Sequence, residues 1–255
     1  MNAYRKVVYQ VEQGIARITL NRPERRNALD QELLTKLRDA FGVAAKDESV
    51  RVVVVTGAGK DFCSGMDLRE FESDQPGDLP RFQTEAGNMS GLFLDMRRHP
   101  RPIVAAVHGR ALGGGCGIAT AADIVLAADS AQLGYPEINI GFVAAIVTAI
   151  LRRSVSEKRA FELITSGEPI PAQTALEWGM INRVFSAATF ERDVEAFVVN
   201  LASKSTSALM LAKELFYRTD AMQFEAAVDA GAEVNAFART TQDFRRGIDK
   251  FLKKP

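Results

Sequence analysis

Residues 103–117, Ile103-Val104-Ala105-Ala106-Val107-His108-Gly109-Arg110-Ala111-Leu112-Gly113-Gly114-Gly115-Cys116-Gly117, join an apolar strand-like run to a triple glycine that opens a small-residue segment. A turn of this kind leaves backbone N–H groups unpaired at a helix start, where the helix dipole also favours a negative oxygen. Glycine suits it because the missing Cβ lets a ligand approach the chain and removes the steric penalty on positive φ. A purely structural turn that packs a helix closely on a sheet has the same sequence, so the reading needs support from elsewhere in the chain.

That support comes from Val52-Val53-Val54-Val55-Thr56-Gly57, a buried strand by composition, which runs into Ala58-Gly59-Lys60-Asp61-Phe62-Cys63-Ser64-Gly65-Met66-Asp67-Leu68. Two strand-to-glycine units can aim two backbone donors at one oxygen, the arrangement that stabilises an enolate or a tetrahedral oxyanion. Other glycine chemistries fail on spacing. A Walker A loop ending at Gly59-Lys60 needs glycine at 54 and Ser or Thr at 61, where Val54 and Asp61 stand. A dinucleotide fingerprint starting at Gly57 needs glycine at 62, which is Phe62. Ser64 also lacks a glycine at 62 for a nucleophile elbow, and its only possible bases are His99 and His108. His108 reads as a structural histidine before a turn, and His99-Pro100 as a helix exit.

A length of 255 residues with 47% hydrophobic composition supports a substantial core and excludes a disordered chain. Lys plus Arg and Asp plus Glu balance at 32 each, so no global field recruits nucleic acid or an acidic membrane. Cys63 and Cys116 suggest no disulfide framework and read as reduced packing residues. Residues 1–13 are charged and polar, without the apolar run of a secretory signal or a membrane span, so a cytoplasmic location is expected.

Residues 7–11 and 16–20 read as strands, and Asp30 starts a helix with apolar positions Leu33, Leu34, Leu37, Phe41 and Val43. The strand at 52–57, a polar loop around 73–79, a helix through Leu92, Phe93 and Met96, the strand at 103–107, a helix after Gly113 and a strand at 124–127 follow. The fold class is therefore α/β, with stacked sheets surrounded by helices. From about residue 145 the pattern is mainly helical, interrupted by Pro169 and Pro171, with a short strand expected at 180–184. Phe224, Ala227, Val228, Gly231, Val234 and Phe237 recur at helical spacing, which predicts one buried face.

Together with Leu20-Asn21-Arg22-Pro23, Asn27-Ala28-Leu29 and Tyr135-Pro136-Glu137-Ile138-Asn139-Ile140-Gly141, the two glycine turns make the chain resemble the crotonase, or enoyl-CoA hydratase/isomerase, superfamily over nearly its whole length. The resemblance implies a ββα spiral core over residues 1–195 and a helical region over 196–255 that builds a homotrimer or a dimer of trimers. It also implies an acyl-CoA thioester as substrate, with coenzyme A entering as part of that substrate and neither a resident cofactor nor a metal. The thioester carbonyl then accepts hydrogen bonds from the backbone N–H groups of Met66 and Gly114, and Glu137 matches one of two family glutamates that move protons. Its sequence neighbours Ile138, Ile140 and Phe142 are apolar, so burial is expected to raise its pKa. The structural alternative is a helix-entry glutamate after Pro136.

Arg25 and Arg26 fall in the segment that contacts coenzyme A in the family, and Phe251 and Lys254 match positions near its adenine and phosphate. The segment 69–82 is expected to cover the acyl group, with Phe71 and Phe82 as linings. The second family glutamate falls on Gly117, and Ala145 offers no carboxylate where related dehalogenases carry an aspartate nucleophile. One carboxylate can shuttle a proton between two carbons, whereas hydration ordinarily uses two to hold and activate water. The pattern therefore resembles an enoyl-CoA isomerase, with enoyl-CoA hydratase and a catalytically weak acyl-CoA-binding protein as alternatives.

Overall fold

A computed structural model describes residues 6–72, 74, 75 and 77–253. The strands are β1 (Val7–Glu12), β2 (Ile15–Leu20), β3 (Val52–Gly57), β4 (Ile103–Val107), β5 (Arg110–Leu112), β6 (Ile124–Ala128), β7 (Gln132–Gly134), β8 (Ile170–Pro171) and β9 (Arg183–Phe185). The helices are α1 (Gln31–Lys46), α2 (Leu79–Arg98), α3 (Gly114–Ala121), α4 (Thr148–Ser154), α5 (Glu157–Ser166), α6 (Ala172–Glu177), α7 (Phe190–Ala202), α8 (Thr206–Arg218), α9 (Phe224–Ala238) and α10 (Gln242–Leu252). A six-stranded sheet runs β1-β2-β3-β4-β6-β9, parallel except for the β1–β2 hairpin, and a three-stranded sheet runs β5-β7-β8.

The apolar runs of β3 and β4 follow from burial on both faces. Val53, Val55, Ile103, Ala105 and Val107 point into a core shared with α1, α2 and α3. Their alternates Val52, Val54, Val104 and Ala106 point into a second core closed by Phe190, Val194, Val198 and Ala202 of α7. The expected helix from Asp30 is α1, whose N-cap carboxylate accepts from the Leu33 amide at 2.8 Å. Leu33, Leu34, Leu37 and Phe41 are buried, but Val43 is exposed because it lies off the stripe they form.

The C-terminal strand is Arg183–Phe185 rather than 180–184. Met180 and Ile181 are buried in the preceding turn, where their apolar character serves packing and not pairing. The boundary expected after residue 195 lies inside α7, which packs on β2, β3 and β6; α8, α9 and α10 follow it. On α9 Ala230 is buried and Ala227, Gly231 and Val234 are half-buried where the helix packs against α8, whereas Phe224, Val228 and Phe237 are exposed, so the expected apolar face is covered only in part within the chain. No helix among the described residues is long and apolar enough to cross a membrane.

Candidate functional site

The two glycine turns meet. After β3 the chain returns at Cys63 to pair with the edge of β5: the Cys63 amide donates to the Arg110 carbonyl and the Leu112 amide to the Cys63 carbonyl, each at 2.9 Å. Gly65 (φ +96°) and Gly113 (φ +52°) then face each other. A Cβ built on either would lie 3.7 Å from the other's Cα, and one on Gly65 would lie 3.0 Å from the Leu112 carbonyl oxygen. Positive φ and close backbone approach together explain glycine at both positions.

The residues that follow these two glycines carry the expected donors. Met66 forms a parallel bridge with Leu29 through the Leu29 amide to the Gly65 carbonyl and the Asp67 amide to the Leu29 carbonyl, both 2.8 Å. This pattern uses the groups flanking Met66 and turns its own N–H away from Leu29. Gly114 is the first residue of α3, where an amide has no intrahelical acceptor. Among the described residues neither the Met66 nor the Gly114 N–H has a hydrogen-bond partner. Gly113 itself is anchored by its amide to the Gly134 carbonyl at 2.8 Å.

Glu137 approaches from the short second sheet. Beyond β7, Pro136 opens a single 3-10 turn, Pro136–Ile140, that Gly141 (φ +74°) closes. The carboxylate stands beside Gly113, where a built Cβ would lie 3.1 Å from Oε1. Oε2 is buried with no hydrogen-bond partner. Burial pushes the Glu137 pKa up, opposed by a hydrogen bond from its own backbone amide. The source of that burial differs from the expected one. Ile138, Ile140 and Phe142 are all exposed, and Ile138 turns its Cγ2 toward Gly167.

Gly117 faces a filled space. A Cβ there would meet Val147 Cγ1 at 2.6 Å and Phe93 Cζ at 2.8 Å, so these apolar groups occupy the volume that a longer side chain needs. Met89 and Leu29 close the other side of the site, 2.9 and 3.1 Å from a Cβ built on Gly114. Phe71 reaches the rim, with its ring centroid 6.0 Å from that of Phe142. Phe82 instead lies under the Arg81 guanidinium at 5.0 Å.

Arg25 and Arg26 are exposed and form no ion pair among the described residues, while the Arg26 carbonyl accepts from the Ser64 amide at 3.0 Å and ties their turn to the Met66 loop. Phe251 is exposed on α10, which packs against α8, and Lys254 lies outside the described residues. Cys63 and Cys116 are buried free thiols whose pKa values burial pushes up to about 12, which removes them as nucleophiles at neutral pH. His99 caps α2, its Nδ1 accepting from the Arg101 amide at 3.1 Å and its Nε2 lying 3.2 Å from the Phe41 carbonyl, and burial lowers its pKa to about 4. No group of three His, Cys, Asp or Glu residues among those described could hold a metal ion.

A sequence model of the enoyl-CoA hydratase/isomerase family matches residues 10–255. The chain belongs to the enoyl-CoA hydratase/isomerase family. Its similarity to a putative enoyl-CoA hydratase of Thermus thermophilus is 37% identity over 246 residues, covering 96% of this chain and 97% of the relative. A 1,2-epoxyphenylacetyl-CoA isomerase of Escherichia coli is 30% identical over 250 residues, covering 97% and 95%. The crystal structure of an enoyl-CoA hydratase from Mycobacterium smegmatis superposes with a TM-score of 0.93 at 32% identity, covering 98% of this chain and 96% of that one. These similarities place an enzyme of the hydratase/isomerase family in the fold described above. Leu29, Met89, Phe93 and Val147, which pack against the glycines of the second turn, were not among the residues expected at the site. Their apolar character matches any core position, and only the glycines they touch distinguish them.

Proposed function

We propose that this enzyme shifts the double bond of an unsaturated acyl-CoA from the 3- to the 2-position. The thioester carbonyl accepts hydrogen bonds from the Met66 and Gly114 N–H groups, so negative charge developing on that oxygen meets donors fixed in advance. Each donor of this type contributes on the order of 3 kcal/mol to transition-state stabilisation. Glu137 removes the proton from C2 to give a dienolate, then returns that proton to C4, and the double bond moves from C3–C4 to C2–C3. Its raised pKa and its unpartnered oxygen suit a group that must both accept and donate.

The observation that carries the choice of reaction is Gly117. Hydration ordinarily uses a second carboxylate to hold the water, and Phe93 and Val147 fill the space where a side chain on residue 117 would stand. A single mobile proton requires no such group. Feeding 3-enoyl-CoA and 2-enoyl-CoA separately decides it: bond migration should dominate, and efficient water addition to the 2-enoyl thioester without migration overturns the assignment.

The exposed apolar face of α9 extends the proposal to assembly. Copies of the chain meet through residues 196–255 in a homotrimer or a dimer of trimers, bringing Phe251 and Lys254 toward the coenzyme A of a neighbour. A monomer in light scattering that remains fully active at micromolar concentration contradicts this.

A further inference from the structure

We infer that Arg22 is the positioning residue for the Met66 amide, acting through Asp67; the inference rests on the assignment of Met66 as a donor to the thioester carbonyl. The Met66 backbone is poorly fixed by secondary structure. Its bridge to Leu29 is isolated, with two hydrogen bonds and no strand extending it on either side. The peptide that carries the Met66 N–H is held at its other end through the Gly65 carbonyl on the Leu29 amide, so any shift of this short bridge re-aims the N–H.

Arg22 closes that bridge from outside. Its side chain, 14% exposed, donates from Nη1 to the Ala28 carbonyl at 2.7 Å and pairs through the same nitrogen with Asp30 Oδ2 at 2.9 Å. Nη2 donates to Asp67 Oδ2 at 3.0 Å. Ala28 precedes Leu29 and Asp67 follows Met66, so one planar guanidinium spans the bridge from one segment to the other. Both anchors are themselves held. Asp30 caps α1 and receives Lys6 Nζ at 2.8 Å, and Asp67 accepts from the Arg69 amide at 3.4 Å at the start of the turn carrying Phe71.

The base of Arg22 is equally fixed. Its amide donates to Asn27 Oδ1 at 2.8 Å, its carbonyl accepts from the Asn27 amide at 2.9 Å, and Asn27 Nδ2 reaches the Ala58 and Asp61 carbonyls at 2.9 and 2.7 Å. The guanidinium thus refers the Met66 peptide to α1 and to the end of β3. Two fixed nitrogens aimed at two different carboxylates are a task for arginine, since an ammonium offers one point of charge.

The test reads carbonyl polarisation directly. Saturated acyl-CoAs of four to twelve carbons, labelled with ¹³C at the thioester carbonyl, are bound to the parent enzyme and to Arg22→Gln, Arg22→Lys and Asp67→Asn. The C=O stretch is then followed by difference infrared spectroscopy alongside turnover, affinity and thermal melting. In the parent enzyme the band should move to lower frequency on binding. Arg22→Gln should lose most of that displacement and about 10- to 100-fold in kcat, the range for a misplaced group, with affinity changed less than about threefold. Arg22→Lys should recover part of both, and Asp67→Asn added to Arg22→Gln should cause no further loss.

A role in stability alone lowers the melting temperature and leaves the band of the folded variant at its parental position. A folded Arg22→Gln with parental band and kcat overturns the inference. Should Arg22→Gln fail to fold, Asp67→Asn decides by the same criterion. A parental enzyme that shows no displacement overturns the Met66 and Gly114 assignment itself, and the inference with it.

Discussion

The two ends of α3 carry carboxylates with opposite surroundings. Beyond its C-terminus, Asp123 is saturated: Oδ2 accepts from Lys213 Nζ at 2.7 Å and the Ile103 amide at 2.6 Å, and Oδ1 accepts from Tyr217 OH at 2.7 Å. Lys213 is buried and also reaches the carbonyls of Met96 and Arg101. Beside the N-terminus, Glu137 keeps one oxygen buried and unpartnered. Burial lowers the Lys213 pKa, with Asp123 opposing, just as burial raises that of Glu137, so a shifted pKa does not separate the two ends. The missing partner does. Volume misleads in the same way, because a cleft of about 860 Å³ opens at the Asp123 end, where the Arg97 and Arg153 guanidiniums share Asp220, and neither Glu137 nor the two glycine turns line it.

Removing each carboxylate should break different properties. Glu137→Gln keeps shape and the two amides but deletes the proton carrier, and turnover should fall about 10²- to 10⁴-fold with a smaller change in acyl-CoA affinity. Steady-state kinetics and exchange of the C2 proton with solvent measure this, and parental rates in a folded variant assign the base elsewhere. Asp123→Asn should do the reverse. Stripping the counter-ion from buried Lys213 costs about 3 kcal/mol of stability in urea titration, while turnover per folded molecule stays parental. A loss of turnover at full folding would mean that the two ends of α3 are coupled.

The smallest effect sharpens the contrast through pH. The folded Glu137 pKa lies above that of an unfolded glutamate, near 4.3, so the native state pays for the ionised form once pH rises through the folded value. Below the unfolded value both states are protonated and the penalty vanishes. Glu137→Gln should therefore melt higher than the parent at pH 8 and level with it at pH 3.5. Equal melting temperatures at both pH values would contradict burial as the cause of the shift.

Much of this was legible in the sequence because it rests on local chemistry. The four valines of β3, the cap at Asp30 and the glycines at 65 and 113–115 each state their requirement within a few residues. The small sheet β5-β7-β8 was not legible, since strands of two or three residues are too short for a period to register, yet it anchors Gly113 through Gly134. The site divides in the same way. Glu137 and the turns carry recognisable residue types, whereas Arg22, Phe93 and Val147 act through contacts 45, 24 and 30 residues away along the chain, a separation no local pattern encodes.

The packing around Gly117 constrains how this chain could change its chemistry over generations. A carboxylate at 117 must displace Val147 and Phe93, since even a Cβ there comes within 2.6 and 2.8 Å of them, and overpacking of this kind costs about 1–3 kcal/mol. Trimming one of those two side chains first relieves the clash, but that step opens a cavity and costs stability. The barrier to a side chain at 117 is thus built from two hydrocarbon groups and from no charged one.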